Sequence, residues 1–261
     1  METTSHTLCL VIPCYNEYDR LPETQFRSFL ESPADVLLLF VNDGSTDGTS
    51  VKLQALSRDY PKKVMVLDNE RNMGKAGSIR NGMLFLTENV QAKYMGYLDA
   101  DLATSLEECL SLTQYLNDGR QFVFASRILR IGAVVERKFS RFLAGRIIAT
   151  LISKILGIPV YDTQCGCKVF YSTLVPLLFT KPFISKWLFD VELFSRILCT
   201  YGTAQGTLMM LEVPVERWVD KGDSKVRVSY FFKLWHDLYL IWKTHKKNRL
   251  RPTFKNEQDN P

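Results

Sequence analysis

Two short apolar runs near the start of the chain constrain its fold most strongly. Residues 8–12 (LCLVI) end at Pro13, and residues 36–41 (VLLLFV) end at Asn42-Asp43-Gly44. Continuous apolar runs of this length are typical of strands that are buried on both faces of a parallel sheet. Segments with helical spacing follow each run, so the chain begins as an alternating β/α fold.

The same alternation continues through the first half of the chain and, less regularly, through the second. Further strands are predicted at residues 64–67, 94–98, 122–125 and 208–213. Helices are predicted at residues 21–30, 49–58, 75–87, 106–115, 174–179 and 187–200. With 261 residues, 46% of them hydrophobic, the chain can form one large α/β domain. We therefore expect a mainly parallel sheet flanked by helices over residues 1–226, with a polar, disordered tail at 252–261.

Basic residues are concentrated in two segments of a chain whose net charge is +5. Residues 127–146 carry six Lys and Arg against the single acid Glu136, and residues 243–251 carry five with no acid. Around them, segments 131–158 and 227–251 combine apolar, aromatic and basic residues, which favours interfacial helices on an anionic membrane. The alternative is that these helices pack on the core or on a second subunit. No nucleic-acid recognition motif accompanies the charge, so we expect no nucleic-acid partner.

The cysteine pattern and the amino terminus bear on localisation. The six cysteines show no Cys-x-x-Cys pair and no zinc spacing with the three histidines, which indicates a reduced, cytosolic protein. Residues 1–7 are short and polar, so no secretion signal is expected. The run at 36–41 is far shorter than the roughly 20 residues that a membrane-spanning helix needs. We therefore expect a cytoplasmic protein, peripheral on the cytoplasmic face of a membrane.

Two carboxylates, Asp99 and Asp101, directly follow the strand predicted at residues 94–98. Hard cations such as Mg²⁺ or Mn²⁺ bind carboxylate oxygens and share their remaining positions with water and substrate phosphates. One carboxylate can hold a metal that bridges a diphosphate, while the other reaches the ribose or a metal-bound water. A solvated turn is the alternative, but the position at a strand end favours a metal site.

Three further loops carry groups that suit a nucleotide. After the second strand, Asp43 can accept a ring N–H from uracil or guanine, and Asp47 is expected to cap the next helix. At the end of the first strand, residues 13–17 (PCYNE) bring an aromatic ring and two polar side chains together. Residues 71–77 offer two cations, including Lys75, before a helix, where cations and helix amino termini suit a diphosphate. A solvated charged loop is the alternative reading of residues 71–77.

Because these four motifs occur in this order and spacing, the chain resembles the inverting GT-A glycosyltransferases. Those enzymes share a Pro-x-Tyr-Asn-Glu start, an Asp-Gly-Ser-x-Asp-Gly-Thr turn and an Asp-x-Asp metal motif. The second half narrows the resemblance to dolichyl-phosphate β-glucosyltransferases and their mannosyl relatives. The segments that carry it are Ser126-Arg127, 162–170 (DTQCGCKVF), 187–193 (WLFDVEL), 212–215 (EVPV) and 222–225 (GDSK). The resemblance covers roughly residues 8–226 and implies the GT-A α/β fold.

The resemblance also implies roles for individual residues. The nucleoside would be surrounded by Pro13, Tyr15, Glu17 and Asp43. The ribose, diphosphate and metal would be bound by Lys75, Asp99, Ala100 and Asp101. The phosphate of a lipid acceptor would be bound by Arg127, Lys168, Ser224 and Lys225. The sugar would be bordered by Asp190 or Glu192. The residues expected to be catalytic are Asp101, Arg127, Lys168 and Asp190.

Two positions depart from the family pattern. Leu102 stands where the glucosyl members usually have the glycine of Asp-Ala-Asp-Gly-Ala-Thr. Cys167 replaces an aromatic residue that usually precedes the Lys or Arg of the later motif. These departures bear on the choice of sugar more than on the type of reaction.

The expected reaction is inverting transfer of a hexose to a polyprenyl or dolichyl phosphate, with UDP-glucose favoured as donor over GDP-mannose. A phosphate monoester is already ionised near neutral pH, so it needs positioning rather than a strong base. An alcohol acceptor, as in capsule or cell-wall glycan synthesis, would need a base, for which Asp162, Asp190 and Glu192 are candidates. A protein that binds a nucleotide sugar without catalysis is the alternative from another class. A homo-oligomer of the chain is also compatible with the sequence.

Overall fold

The computed structural model describes residues 5–136, 139–219 and 230–249 of the chain. The strands are β1 Ser5–Cys14, β2 Val36–Asn42, β3 Val64–Asp68, β4 Gln91–Leu98, β5 Phe122–Ser126, β6 Val134–Glu136, β7 Cys167–Tyr171, β8 Met210–Pro214 and β9 Arg217–Val219. The α-helices are α1 Glu23–Leu30, α2 Thr49–Asp59, α3 Gly74–Asn89, α4 Leu106–Ser111, α5 Phe139–Leu156, α6 Val175–Phe179, α7 Phe189–Tyr201, α8 Thr203–Leu208 and α9 Tyr230–Arg249.

Seven strands form the central sheet in the order β3-β2-β1-β4-β7-β5-β8. Strands β3, β2, β1 and β4 run parallel to one another, and β8 runs parallel to β5. β7 runs antiparallel to both neighbours, with Gly96 of β4 opposite Val169. The carboxyl ends of β1, β2 and β4 therefore meet at one edge, where the predicted nucleotide loops lie.

Alternate residues of β1 pack on opposite faces of the sheet, which explains its continuous apolar run. Cys9 and Val11 join a core cluster that includes Met83 of α3. Leu8, Leu10 and Ile12 join the cluster on the other face with Phe26 of α1. Every residue from Leu8 to Ile12 is fully buried. The sheet is thus covered by helices on both faces, as the sequence predicts.

The second half of the chain contains elements that the sequence pattern does not indicate. β6 and β9 form a separate parallel two-stranded sheet, and each has only three residues. α8 ends at Leu208, where we expected a strand to begin, and β8 starts at Met210. β7 begins in a segment rich in small and polar residues, for which the sequence pattern predicts no strand.

The two segments expected to lie at an interface form the helices α5 and α9, which contact each other. Both also pack against α7, through buried residues such as Ile152 of α5 and Leu234, Leu238 and Ile241 of α9. No helix in the described part of the chain has both the length and the apolar character to cross a membrane.

Candidate active site

The loops after β1 and β2 are joined by hydrogen bonds between backbone and side chains. The Asn16 backbone N–H donates to Ser45 Oγ at 3.0 Å, and the Thr46 N–H donates to Asn16 Oδ1 at 2.9 Å. The Glu17 N–H donates to Thr49 Oγ1 at 2.8 Å. Asn16 has a φ of 51°, a left-handed conformation that Asn tolerates better than most residues. These bonds hold residues 13–17 against the loop that follows β2.

Asp47 was expected to cap helix α2, but the N-cap residue is Gly48, and Asp47 lies one residue before it. Its Oδ1 accepts from the Thr49 backbone N–H at 3.0 Å, and its Oδ2 accepts from the Tyr18 N–H at 3.0 Å. Burial would raise the pKa of this carboxyl, but its hydrogen bonds lower the pKa below the usual value. Asp47 therefore serves the loop structure.

Asp43 is buried and holds the loop that leads into α3. Its Oδ1 accepts from Asn69 Nδ2 at 2.9 Å and from the Met73 N–H at 2.7 Å, and its Oδ2 accepts from the Gly74 N–H at 2.8 Å. Three of roughly four acceptor positions of the carboxylate are thus occupied by the protein. The structure gives Asp43 this positioning role, and a contact with the nucleotide base stays a prediction.

Asp99 lies beside Lys75, although 24 residues separate them in the chain. Lys75 Nζ is 2.5 Å from Asp99 Oδ1, and both side chains are partly exposed. Burial would lower the pKa of Lys75, but the charges of Asp99 and Asp190 raise it above its usual value. Since Lys75 is in the first turn of α3, the site joins a fixed cation and a helix amino terminus to the first carboxylate of the Asp-x-Asp motif.

Gly166 makes this position of Asp99 sterically possible. The Asp99 backbone N–H donates to the Gly166 carbonyl at 3.1 Å. A Cβ on Gly166 would overlap the Asp99 carboxylate. The segment before β7 can therefore approach Asp99 only because residue 166 has no side chain.

Asp101 lies in the turn after β4 and is partly exposed. Its Oδ1 accepts from the Ala103 N–H at 3.0 Å. The intervening Ala100 is buried, and so is Leu102, which adopts a φ of 51°. This backbone conformation explains why a glycine suits position 102, and it means that Leu102 occupies a strained conformation here.

Asp99 and Asp101 fit a divalent cation of the kind that the sequence predicts. No group of three or more His, Cys, Asp or Glu within residues 5–136, 139–219 and 230–249 is arranged to hold a metal by itself. Mg²⁺ in nucleotide enzymes commonly takes one or two carboxylates and completes its coordination with water and substrate phosphate. Both carboxylates are partly exposed, so water and a substrate phosphate can complete such a shared site.

Lys168 does not lie at the surface, where a lipid phosphate would meet it. Its side chain is 0% exposed, and Nζ donates to Asp190 Oδ1 at 2.6 Å and to the Cys165 carbonyl at 2.7 Å. The reason is that residue 168 belongs to β7, inside the sheet between β4 and β5. The ammonium of Lys168 thus binds Asp190, and its contact with the acceptor phosphate stays a prediction.

Tyr97 completes this buried group. Its hydroxyl also donates to Asp190 Oδ1, and its ring lies 5.7 Å from the ring of Phe189. Burial and the neighbouring charge of Asp190 raise the pKa of Tyr97 well above its usual value, so the hydroxyl stays a donor. Asp190 is therefore held by two side chains from two strands.

Arg127, at the end of β5, pairs with Asp162. Arg127 Nε lies 2.7 Å from Asp162 Oδ2, and its guanidinium is 5.3 Å from the centre of the Trp218 ring. Burial would lower the pKa of Arg127, but the charge of Asp162 and, more weakly, that of Asp99 raise it. Glu212 of β8 fixes the partner loop by accepting from the Tyr161 and Asp162 N–H groups at 2.9 and 2.7 Å.

Glu192, two residues after Asp190 on α7, is also buried. It accepts from the Ile184 and Ser185 N–H groups at 3.1 and 2.9 Å. Burial raises its pKa above the usual value, although these hydrogen bonds and Arg196 lower it in part. Ser185 Oγ in turn donates to Asp237 of α9 at 2.6 Å. Glu192 thus organises the loop before α7 and its contact with the carboxy-terminal helix.

The remaining predicted residues are placed as follows. Tyr15 is 38% exposed and Pro13 is partly buried, both at the carboxyl end of β1. Glu17 forms an ion pair with Arg20 at 2.5 Å. Ser224 and Lys225, the other predicted phosphate ligands, lie outside the described residues, as does the tail at 252–261.

Three residues without a predicted role prove to matter in this geometry: Tyr97, Gly166 and Glu212. Gly166 and Glu212 belong to motifs that support the family resemblance, which was the available signal. Tyr97 lies two residues before Asp99 within a buried strand, so the sequence indicates only an aromatic residue of the core.

Residues 9–175 match the domain described as Glycosyl transferase family 2. The chain belongs to this family. The match includes the loops after β1 and β2, the Asp99 and Asp101 turn and the strand that carries Lys168. The resemblance drawn from the sequence motifs is therefore confirmed at the level of the family.

Curated relatives of this family 2 chain extend over most of its length. It is 31% identical over 258 residues to the dolichyl-phosphate β-glucosyltransferase of Drosophila melanogaster, covering 92% of this chain and 76% of the relative. It is 28% identical over 262 residues to the human protein of the same name, covering 90% and 79% respectively. The similarity thus extends beyond residue 175, where the family match ends, and includes Asp190.

Solved structures confirm the predicted fold. Glucosyl-3-phosphoglycerate synthase from Mycobacterium tuberculosis, crystallised with Mn²⁺, UDP-glucose and phosphoglyceric acid, is similar with a TM-score of 0.65 at 15% identity, covering 92% of this chain and 79% of that one. Mannosyl-3-phosphoglycerate synthase from Rubrobacter xylanophilus gives 0.62 at 15%, covering 98% and 79%. The GT-A α/β architecture with a mainly parallel sheet is the shared feature.

Proposed function

We propose that this family 2 glycosyltransferase moves glucose from UDP-glucose to a dolichyl or other polyprenyl phosphate, with inversion. The observation that carries the proposal is the ion pair between Lys75, at the start of α3, and Asp99, directly after β4, which sets a fixed cation beside the Asp-x-Asp motif. The named relatives from Drosophila and human support the acceptor and the sugar.

At the donor end, Lys75 and the amino terminus of α3 supply positive charge for the diphosphate. Asp99 and Asp101 would hold Mg²⁺ or Mn²⁺, which neutralises charge on the departing diphosphate when it is bound. Tyr15, partly exposed at the end of β1, offers a ring surface to the nucleoside. Fixed groups of this kind stabilise charge without reorganising during the reaction.

At the acceptor end, Arg127 supplies a charge that Asp162 holds in place. An ionised phosphate monoester is itself the nucleophile, so the enzyme must orient it opposite the departing nucleotide rather than deprotonate it. Three carboxylates could serve an alcohol acceptor as a base. Asp162 is paired with Arg127, Asp190 is paired with Lys168, and Glu192 binds the backbone at residues 184 and 185. These contacts favour the phosphate over a sugar hydroxyl.

We propose further that the protein contacts a membrane peripherally through α5 and α9. Trp235, Tyr239 and Trp242 follow one another at helical spacing on α9, and they are 44%, 52% and 38% exposed. Leu143 and Ile147 are exposed on the neighbouring helix α5. Aromatic side chains beside a basic segment suit the interface of an anionic bilayer. A prenyl phosphate acceptor would be met at that surface, with the cytoplasmic face as the expected side.

The decisive experiment supplies labelled UDP-glucose or GDP-mannose with a short polyprenyl phosphate, with and without a chelator. We expect a lipid-soluble product from UDP-glucose that disappears with chelator and returns with Mn²⁺ or Mg²⁺. Label transferred only to a soluble sugar acceptor would instead support glycan synthesis. Binding of UDP-glucose without release of UDP under any condition would support a non-catalytic binding protein, and it would contradict the proposal.

A further inference from the structure

Two buried side chains bind the Asp190 carboxylate, and both donate to the same one of its two oxygens. Tyr97 Oη and Lys168 Nζ both donate to Oδ1, the latter at 2.6 Å. Within the described residues, every hydrogen bond that the Asp190 carboxylate accepts ends on Oδ1. Two donors on one oxygen fix the rotation of the carboxylate and leave Oδ2 as its second acceptor.

This carboxylate lies next to the donor end of the site. Phe189, the preceding residue, has its ring 5.7 Å from the Tyr97 ring and 6.0 Å from Lys75 Nζ. Lys75 in turn contacts Asp99. Tyr97 and Asp99 are separated by one residue of β4, so the Asp-x-Asp motif and the support for Asp190 are built on the same strand. A sugar attached to a diphosphate at Lys75 and Asp99 would therefore be near Asp190.

Lys168 has the properties of a buried counter-ion rather than of a phosphate ligand. Its side chain is 0% exposed, and its ammonium also donates to the Cys165 carbonyl at 2.7 Å. A mobile phosphate would have to replace both partners and leave Asp190 buried without its charge partner, which is costly. These contacts favour Lys168 as the counter-ion of Asp190, which leaves Arg127 as the proposed phosphate ligand.

We propose that Tyr97 and Lys168 are positioning residues, which orient Asp190 so that its Oδ2 accepts a hydroxyl of the donor sugar. This inference rests on the proposed function, because it takes a nucleotide sugar as the ligand. It differs from the family resemblance, which places Lys168 at the acceptor phosphate and gives Tyr97 no role.

A double-mutant cycle between Tyr97→Phe and Asp190→Asn tests the inference. Tyr97→Phe removes one hydroxyl and retains the ring against Phe189. We expect kcat to fall about 10-fold with the KM for polyprenyl phosphate unchanged, because a small misplacement of an orienting group lowers the rate. In the Asp190→Asn background, the same change should alter kcat by less than about 2-fold. A purely structural role would give the same factor in both backgrounds.

Two further variants test whether the effect on kcat is specific to the residues that contact Asp190. Tyr94→Phe, on the same strand and packed on Tyr171 at 5.1 Å, is the matched control, and its kcat should equal that of the wild type. Lys168→Gln should lower kcat and lose its effect in the Asp190→Asn background. If Lys168→Gln instead raises the KM for polyprenyl phosphate in both backgrounds, Lys168 is a phosphate ligand and the inference is overturned. If Lys168→Gln does not fold, the double-mutant cycle between Tyr97→Phe and Asp190→Asn still tests the inference.

Binding measurements separate this inference from the proposed function. Calorimetry with Mn²⁺ compares the affinity of each variant for UDP-glucose and for UDP. Tyr97→Phe should weaken UDP-glucose about 10-fold while UDP changes little, since only the sugar contacts Asp190. A wild type that binds UDP-glucose but forms no glucolipid would contradict the proposed acceptor alone. Equal affinities of Tyr97→Phe and wild type for both ligands would overturn the positioning role.

Discussion

Arg127 and Asp162 form an ion pair with two parallel hydrogen bonds, Nε to Oδ2 at 2.7 Å and Nη2 to Oδ1 at 2.8 Å. The Arg127 backbone N–H donates to the same carboxylate at 3.1 Å. Paired charged hydrogen bonds of this kind are stronger than neutral ones and define orientation as well as distance. The guanidinium is therefore fixed at the end of β5 before any acceptor binds.

This pair makes stability depend on pH. Burial would raise the pKa of Asp162, but Arg127 lowers it from 3.8 to about 2. Because the folded pKa lies below the unfolded one, the stabilisation is present above about pH 4 and is lost as the pH falls towards about 2. We expect Asp162→Asn to lower the free energy of unfolding by about 2 kcal/mol at neutral pH, with a smaller difference in acid.

Urea denaturation of both proteins between about pH 7 and pH 3 measures this difference. Asp118→Asn is the control, since Asp118 is exposed and precedes β5 whereas Arg127 follows it, and its curve should follow that of the wild type. A constant gap between wild type and Asp162→Asn across the whole range would show that the pair does not titrate as described.

The close approach of Gly166 to Asp99 gives a second prediction. Gly166→Ala would displace the Asp99 carboxylate, because the added Cβ overlaps it. We expect the concentration of Mn²⁺ needed for half-maximal activity to rise about 10-fold or more, since metal ligands lose affinity when their support changes. Gly145→Ala, at a helical glycine with open space around it, should leave this concentration unchanged. Equal metal dependence of the two variants would refute the role of Gly166.

Asp101 offers a test of the metal site itself. In Asp101→Asn, the amide oxygen can still accept from the Ala103 N–H, so the turn should persist. Loss of the carboxylate charge should reduce transfer by about 100-fold or more. Thermal unfolding checks the fold, and labelled glucolipid measures the activity. A folded variant with near-normal turnover would exclude Asp101 as a metal ligand.

The order of strands and helices and the position of the site follow from local patterns in the sequence. Residues 8–12 and 36–41 are apolar without interruption because both faces of their strands are covered. Asp99 and Asp101 follow such a strand, so the edge of the sheet at which they lie could be predicted. Each of these features depends on neighbours within a few residues in the chain.

The partners of the site residues depend instead on distant parts of the chain. Tyr97 meets Asp190 across 93 residues, and Lys168 meets it only because β7 is inserted antiparallel between β4 and β5. When the strand pairing is unknown, a lysine in a segment of small and polar residues is expected at the surface. The burial of Lys168 and its contact with Asp190 could be found only from the structure.

The strained backbone at Leu102 predicts that its glycine variant is more stable than its alanine variant. Leu102 is buried, so Leu102→Ala should cost about 2–5 kcal/mol through the lost packing. Its φ of 51° favours glycine, so Leu102→Gly should be about 1 kcal/mol more stable than Leu102→Ala. At Leu53, buried within helix α2, the order should be reversed because glycine weakens a helix. Urea denaturation of the four variants measures both orders. The same order at both sites would contradict strain at Leu102.

Because the aromatic face of α9 is exposed, we expect that replacing its side chains removes lipid binding without unfolding the protein. Replacing Trp235, Tyr239 and Trp242 by Gln should lower flotation with anionic liposomes about 10-fold or more, because apolar area at the interface is lost. Leu234, Leu238 and Ile241 still pack on the core in that variant, so its thermal unfolding should change little.

A matched control for α9 uses exposed aliphatic residues elsewhere. Val51→Gln with Leu208→Gln removes side chains that are 67% and 68% exposed on α2 and α8. This variant should float like the wild type, since α2 and α8 do not belong to the proposed membrane surface, which is formed by α5 and α9. Added salt should weaken flotation of the wild type, because part of the attraction is electrostatic. If the α9 variant and the control float equally well, the membrane contact lies on another surface.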